Sequence, residues 1–296
     1  MRHFVRDDTL FLRGRFRAAS TGINGGIADV TTVLNHTVPR DFCDEPQRYL
    51  ELLAARHGLF HEYFGLLTAV EMRHLCVLQY DFITVFITAG VTNPTPPVDN
   101  APHTINIVVH SREGVCDAAL LETIVTATGA KARALHDLGY DFPGTTTDAV
   151  VVACERDVPG AHTYAGTLTE AGRRVHAAIL YGVPEALARH QGKVRRSGPS
   201  FFIYSRYGGD HWVEWVKEGC PYYPCHFPGQ RCDFCYCPFY PCCDESLGQW
   251  VESASQNGMI WNCSQCTLLH EPEVADYLRS HPEAPLGELK AVKKRK

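Results

Sequence analysis

The sequence predicts an α/β chain of the α+β type, a mixed sheet with flanking helices, followed by a small cysteine-rich metal-binding module. Three observations predict it. Strand patterns cluster in the first half of the leading domain, strand and helix patterns alternate in its second half, and nine of the 13 cysteines fall between Cys220 and Cys266. Clustered strands followed by alternation favour a mixed sheet over a fully parallel one. Such a shift in cysteine usage marks a second domain. The hinge is placed at residues 191–199, which carry charges and chain breakers without apolar periodicity, giving domains at 1–190 and 200–296.

Leu10 to Arg17 alternates loosely, as a strand does, and leads into the glycine-rich Ser20-Thr21-Gly22-Ile23-Asn24-Gly25-Gly26. Glycines there permit close approach of a ligand or of another strand. Ala28 to Val38 alternates again. Pro46 suits the first turn of a helix that carries Tyr49, Leu50, Leu52 and Leu53 and ends near His57-Gly58. Leu66 to Val70 and Val77 to Val91 read as further strands, and the proline-rich Pro94 to Pro102 as a loop. His103 to His110 alternates polar and β-branched positions, a strand with His103, Thr104 and Asn106 near its start. From Cys116 to Leu138 small apolar residues recur every three or four positions, a long helix able to pack closely on a sheet, and Gly139 ends it. Ala149 to Ala153 is a β-branched, uncharged run, the pattern of a buried strand. Thr167 and Glu170 have the spacing of a capping box for a helix through Val175, Ala178, Ile179 and Leu180.

The composition excludes several classes. A formal charge of −5 with mixed signs gives no basic field for nucleic acid, and 45% hydrophobic residues suffice for a packed core. The longest apolar run, Phe82 to Val91, is too short to span a bilayer, and the acidic Asp7-Asp8 interrupts any signal-peptide core. A cytoplasmic protein is therefore expected.

Gly144-Thr145-Thr146-Thr147-Asp148 joins the long helix to the buried strand. A flexible glycine, three hydroxyls and one carboxylate at a sheet end suit a site, although threonine and aspartate are also ordinary turn residues. Together with Ser20 to Gly26, Thr88-Ala89-Gly90-Val91-Thr92-Asn93, Thr104-Ile105-Asn106-Ile107, Ala127-Thr128-Gly129-Ala130-Lys131 and Tyr164-Ala165-Gly166-Thr167, this turn resembles the adenosylcobinamide amidohydrolase family over about residues 15–185. The pattern departs at His103, where a glycine is expected, and at Gly129, where an acidic residue is expected. The resemblance implies hydrolysis of the amide that joins the aminopropanol arm to the corrin ring, giving adenosylcobyric acid in cobinamide salvage. It also implies a rim rich in Asn and Thr to meet the amide fringe of a corrinoid.

Amide hydrolysis needs an activated nucleophile, oxyanion donors and a proton for the leaving amine. Asp148 is the candidate base, toward a water or the Thr147 hydroxyl, and His103 the candidate acid. Asn24, Gly25 and Asn93 are candidate oxyanion donors. Thr104, Asn106, Lys131, Thr145 and Thr146 complete the expected substrate rim. The alternative is a corrinoid-binding or carrier protein of the same pathway without catalysis.

In the second domain the candidate metal ligands are Cys220, Cys225, Cys232, Cys235, Cys237, Cys242, Cys243, Cys263 and Cys266. Cys-x2-Cys steps present two thiolates to one tetrahedral ion, and Cys232, Cys235, Cys263 and Cys266 make such a four-sulfur set. One or two structural zinc ions are expected, with an iron–sulfur cluster as the runner-up and disulfides as the rival. This stretch also resembles, over about residues 200–282, a cysteine-rich small domain found alone or fused to cobalamin-biosynthesis proteins, matching through Gly219 to His226, Cys235 to Cys242 and Trp261 to Leu268. A docking role toward a partner protein of that pathway follows as an expectation. The tail from Lys290 to Lys296 reads as a solvated end.

Overall fold

The computed structural model describes residues 1–91, 104–158, 161–206, 208–217, 220–252 and 259–294. The elements in chain order are β1 (Arg2–Arg6), β2 (Thr9–Ser20), β3 (Gly26–Thr37), α1 (Pro46–Arg56), β4 (Tyr63–Thr68), β5 (Cys76–Tyr80), β6 (Ile83–Gly90), β7 (Thr104–Ser111), β8 (Gly114–Val115), α2 (Asp117–Asp137), β9 (Ala149–Glu155), β10 (Ala161–His162), α3 (Glu170–His190), β11 (Ser200–Ser205) and β12 (His211–Trp215). Ten of these strands form one sheet in the order β12-β11-β5-β6-β7-β9-β2-β3-β4, with β1 beside β2. It is a mixed sheet, as expected: β11/β5, β7/β9 and β3/β4 run parallel, and β11/β12, β5/β6, β6/β7, β2/β9 and β2/β3 antiparallel.

Helices cover one face of the sheet. Small residues of α2 (Ala119, Ala127, Ala130) and Val175 and Ile179 of α3 pack on Ile87, Ile107 and Val152. The other face closes on itself. Leu12, Val33 and Phe64 from one end of the sheet share a core with Val77, Phe86 and Val108 from its middle. Asn35 of β3 even donates to the Thr88 hydroxyl of β6 at 3.0 Å, although three strands separate β3 from β6 in the sheet order. The sheet is therefore strongly curled, and a register shift in β2 between Arg13 and Phe16 supplies a local bend. Covered on both sides, β6 and β7 are buried at every position, so even the alternating polar residues Thr104, Asn106 and His110 of β7 lie inside.

The boundaries agree in outline with the sequence and differ in places with a physical reason. The apolar run from Val77 to Val91 is a hairpin, turning at Asp81 with φ of 53°. The N-cap of α3 is Thr169, whose hydroxyl oxygen accepts from Gly172 N at 3.0 Å, so the cap falls two residues after the expected Thr167 and, with glycine at 172, is a single bond without the reciprocal half of a box. The loop expected at Pro94–Pro102 lies outside the described residues. Residues 200–215 belong to the sheet, where β11 pairs with β5, and the division between two compact units falls between Trp215 and Val216, beyond the segment 191–199.

The second unit holds β13 (Gln249–Glu252), β14 (Met259–Asn262), α4 (Pro272–Ser280) and α5 (Leu286–Lys293). Its core is small: Leu268, Leu269, Val274, Leu278, Ala284 and Leu289. The basic tail is more ordered than expected, because α5 carries it through Lys293 and pairs Lys290 with Asp244 at 2.7 Å and Lys293 with Glu271 at 3.1 Å.

Candidate functional site

The threonine-rich turn is held by its aspartate. The Asp148 carboxylate lies just before β9 and accepts from Ile105 N of β7 at 2.8 Å and from Thr145 N at 3.0 Å, and also from the Thr145 hydroxyl and from the Lys131 ammonium of α2. A parallel β7-α2-β9 crossover brings these together, since the strand start, the helix and the next strand start meet at one end of the unit. The Lys131 and Asp148 side chains are 7% and 9% exposed, so the ion pair is almost dry. Gly144 is required by close approach: a Cβ there would collide with both Lys131 Nζ and Asp148 Oδ2. With their neighbours holding the turn in place, Thr146 and Thr147 stand exposed.

A buried polar chain runs inward from the turn. The Thr104 hydroxyl is within reach of the Thr147 carbonyl at 3.0 Å and of Asn106 Oδ1 at 3.1 Å. Asn106 spends both amide protons inside the protein, on Asn35 Oδ1 at 2.9 Å and on the Leu67 carbonyl at 2.8 Å. Asn35 then reaches Thr88. The sequence marks Thr104 and Asn106 as site candidates but gives no role to Asn35, nor to Thr88 beyond its place in the Thr88 to Asn93 motif, because a polar residue on a long strand carries no sign of what faces it across a curled sheet.

Of the expected site residues, the structure assembles Lys131, Thr145, Thr147, Asp148, Thr104 and Asn106, with Thr146 in the same turn. Asn24 is engaged elsewhere: it donates to the Tyr63 carbonyl at 2.8 Å and accepts from Gly65 N at 3.0 Å, fastening its loop to β4. Gly25 closes that loop by donating to the Gly22 carbonyl at 3.0 Å. The loop still borders the turn, because Thr21 exchanges hydrogen bonds with Val150, its N–H donating to the carbonyl at 3.0 Å and its hydroxyl accepting from the N–H at 2.9 Å. Asn93 and His103 lie outside the described residues.

In the second unit, six thiols (Cys225, Cys235, Cys237, Cys242, Cys263 and Cys266) line a cavity of about 240 Å³ together with His226 and His270. None of the cysteines of the described residues is in a disulfide. Gln230 is 5% exposed and turns its amide nitrogen on two sulfurs, Cys225 at 3.2 Å and Cys232 at 3.4 Å, while its oxygen accepts from His226 N at 2.8 Å. Burial, first, and then the neighbouring Cys266, Cys242 and Cys263 push the Cys237 thiol up to about 12. Of the expected set, Cys235, Cys263 and Cys266 border this one cavity, with Cys237 and Cys242 beside them, and Cys232 is linked to Cys225 through Gln230. Among the described residues no three His, Cys, Asp or Glu side chains are arranged to ligate a metal. The donor set nonetheless fits a soft cation by its chemistry, reduced thiols around an otherwise apolar cavity.

The family model for adenosylcobinamide amidohydrolase matches residues 5–195. The chain belongs to the adenosylcobinamide amidohydrolase family. It is an amidohydrolase. A second model, the cysteine-rich small domain, matches residues 211–293. The adenosylcobinamide amidohydrolase of Methanosarcina mazei is 41% identical over 196 residues, 63% of this chain and 98% of that protein. The protein of the same name from Halobacterium salinarum is 34% identical over 188 residues, 58% of this chain and 80% of its own length. A probable cobalt-factor III C(17)-methyltransferase of Methanothermobacter thermautotrophicus is 43% identical over 63 residues, 21% of this chain and 17% of its own. No solved structure matches the chain with significance. Among the described residues no helix is long and apolar enough to cross a membrane.

Proposed function

We propose that this amidohydrolase cleaves the aminopropanol amide of adenosylcobinamide to give adenosylcobyric acid. The observation that carries the reading is the buried Lys131–Asp148 pair beneath two exposed threonines, inside the stretch shared over nearly the whole length of the Methanosarcina enzyme. Water adds across the amide, its oxygen bonding the carbonyl carbon and a proton going to the departing nitrogen. Both Asp148 oxygens are already engaged and one faces an ammonium, so Asp148 serves as the anchor of the turn rather than as the base. Lys131 brings a fixed positive charge that stabilises the developing oxyanion in a site of low water content. Thr146 and Thr147 hydrogen-bond the amide fringe of the corrinoid, and His103 gives the leaving amine its proton.

The cysteine-rich domain holds zinc in a closed thiolate shell and takes no part in the hydrolysis. The 63 residues shared with the protein named as a probable cobalt-factor III C(17)-methyltransferase support a role not tied to amide hydrolysis, such as docking a partner. Incubation of the purified chain with adenosylcobinamide and with its phosphate, followed by chromatography of the corrinoids, tests the reaction. Adenosylcobyric acid with free or phosphorylated aminopropanol is expected. Corrinoid bound and released unchanged would make the protein a carrier.

A further inference from the structure

The cysteine-rich unit contains the same device twice. Cys220-Pro221-Tyr222-Tyr223-Pro224-Cys225 and Cys237-Pro238-Phe239-Tyr240-Pro241-Cys242 agree at five of six positions, and each is followed by a Cys-x2-Cys step, Cys232/Cys235 and Cys263/Cys266. The backbone repeats with the sequence. Tyr223 N donates to the Cys220 carbonyl at 3.2 Å and Tyr240 N to the Cys237 carbonyl at 3.1 Å, so both proline-rich segments make the same turn. Cys235 N donates to the Cys232 carbonyl at 3.4 Å and Cys266 N to the Cys263 carbonyl at 2.9 Å, so both Cys-x2-Cys steps do too.

We propose that the unit is an internal duplication holding two zinc ions, one on Cys220, Cys225, Cys232 and Cys235 and the other on Cys237, Cys242, Cys263 and Cys266. The inference rests on the zinc reading above and fixes the number of ions and the ligands of each. Cys225 and Cys235 of the first repeat border the same cavity as the four thiols of the second, and two sets of neighbours there follow the repeats. Gln230 bridges Cys225 and Cys232 of the first, while Cys242, Cys263 and Cys266 of the second surround Cys237. Eight thiols are then used and Cys243, which has no counterpart in the first repeat, is left over. Two N–H···S bonds from one buried amide orient a sulfur pair, the usual work of groups just outside a metal's ligands. Two staples in so short a segment also account for its folding around so small a core, since metal binding and folding are one equilibrium in such units.

The rival ligand is His270. It is 8% exposed, borders the same cavity, and its Nδ1 donates to the Arg231 carbonyl at 2.7 Å, which leaves Nε2 as the nitrogen that would ligate. The duplication argues against it, because no histidine occupies the equivalent place in the other repeat.

The test uses the full chain purified without oxygen. Native mass spectrometry is expected to show two zinc ions, and zinc X-ray absorption an all-sulfur shell of four. Cys220→Ser with Cys225→Ser, and separately Cys263→Ser with Cys266→Ser, should each lose one ion and keep the other, whose retention reports that the rest is folded. Cys243→Ser and His270→Ala should keep both. A single ion in the unmodified chain, a nitrogen neighbour in the absorption spectrum, or loss of an ion from either control variant overturns the two-site assignment and leaves the zinc reading standing. No metal at all, with the thiols oxidised in pairs, or iron with labile sulfide, overturns the zinc reading itself. The absorption measurement needs no variant, so a pair substitution that fails to fold leaves the proposal falsifiable.

Discussion

Lys131 Nζ and the Asp148 carboxylate form an ion pair that bridges the middle of α2 to the start of β9, with both side chains less than a tenth exposed. The pair is also what Gly144 packs against, so one contact fixes the helix, the strand and the turn between them. A carboxylate whose oxygens already accept from Ile105 N, Thr145 N, the Thr145 hydroxyl and Lys131 is spent on holding the turn together.

Removing either partner alone strands a buried charge. Asp148→Asn and Lys131→Met should each lower unfolding free energy by about 3 kcal/mol, and the double variant should cost less than their sum. Urea titration checks this, with turnover lost in all three. Asp148→Asn that keeps its stability and loses only kcat would restore Asp148 as the base.

Asn106 was expected at the substrate, yet its amide protons go to Asn35 and Leu67. Asn106→Ala leaves those buried acceptors unmatched and should cost about 2 kcal/mol of stability. Binding should be nearly unaffected, with KM for adenosylcobinamide changed by no more than about twofold, as for a residue that makes no contact in either the bound or the transition state. A large rise in KM at unchanged stability would put Asn106 back on the substrate.

Much of this architecture was legible in the sequence. Alternation placed β2, β3 and β7, small-residue spacing placed α2, and an uncharged β-branched run placed β9, because burial on one or two faces writes itself into residue type. The threonine turn was legible as polar groups at a strand end. What each group does was not: Lys131 reads as one lysine on a long helix, and only the crossover shows that it reaches Asp148. Asn24 carries the same amide whether it meets a ligand or β4. Strands β11 and β12 were hidden by composition, since Ser200 to Trp215 mixes charges and aromatics and its place beside β5 is a long-range pairing.

Stability should fall on the acid side of neutrality. Burial holds the His110 ring below its ordinary pKa, and its Nδ1 finds no partner among the described residues, while burial, with His110 nearby, lowers His3 to about 4. Both folded-state values lie under the unfolded value of about 6.5, so the unfolded chain takes up protons first. The stabilisation is complete above that pH and is lost progressively as pH drops toward 4. Urea midpoints measured from pH 7.5 to 4 should decline over that window, and His3→Phe should flatten the decline. A level profile for the unmodified protein would show that neither ring is held neutral by the fold.

Arg189 is 1% exposed at the end of α3 and spends its guanidinium on three partners: Ser200 Oγ at 2.8 Å, Glu185 Oε2 at 2.6 Å and Glu214 Oε1 at 2.8 Å. It also lies over the Phe202 ring at 5.0 Å, so it fastens both β11 and β12 to the helix. Arg189→Met leaves two partly buried carboxylates facing an apolar group and should cost about 3 kcal/mol. Lysine keeps the charge but not the planar fork or the stacking, so Arg189→Lys should recover less than half of that loss. Limited proteolysis reads the same interaction locally, with faster cleavage within residues 200–215 expected in both variants. Full rescue by lysine would mean that charge alone, and not the geometry of the fork, holds these strands in place.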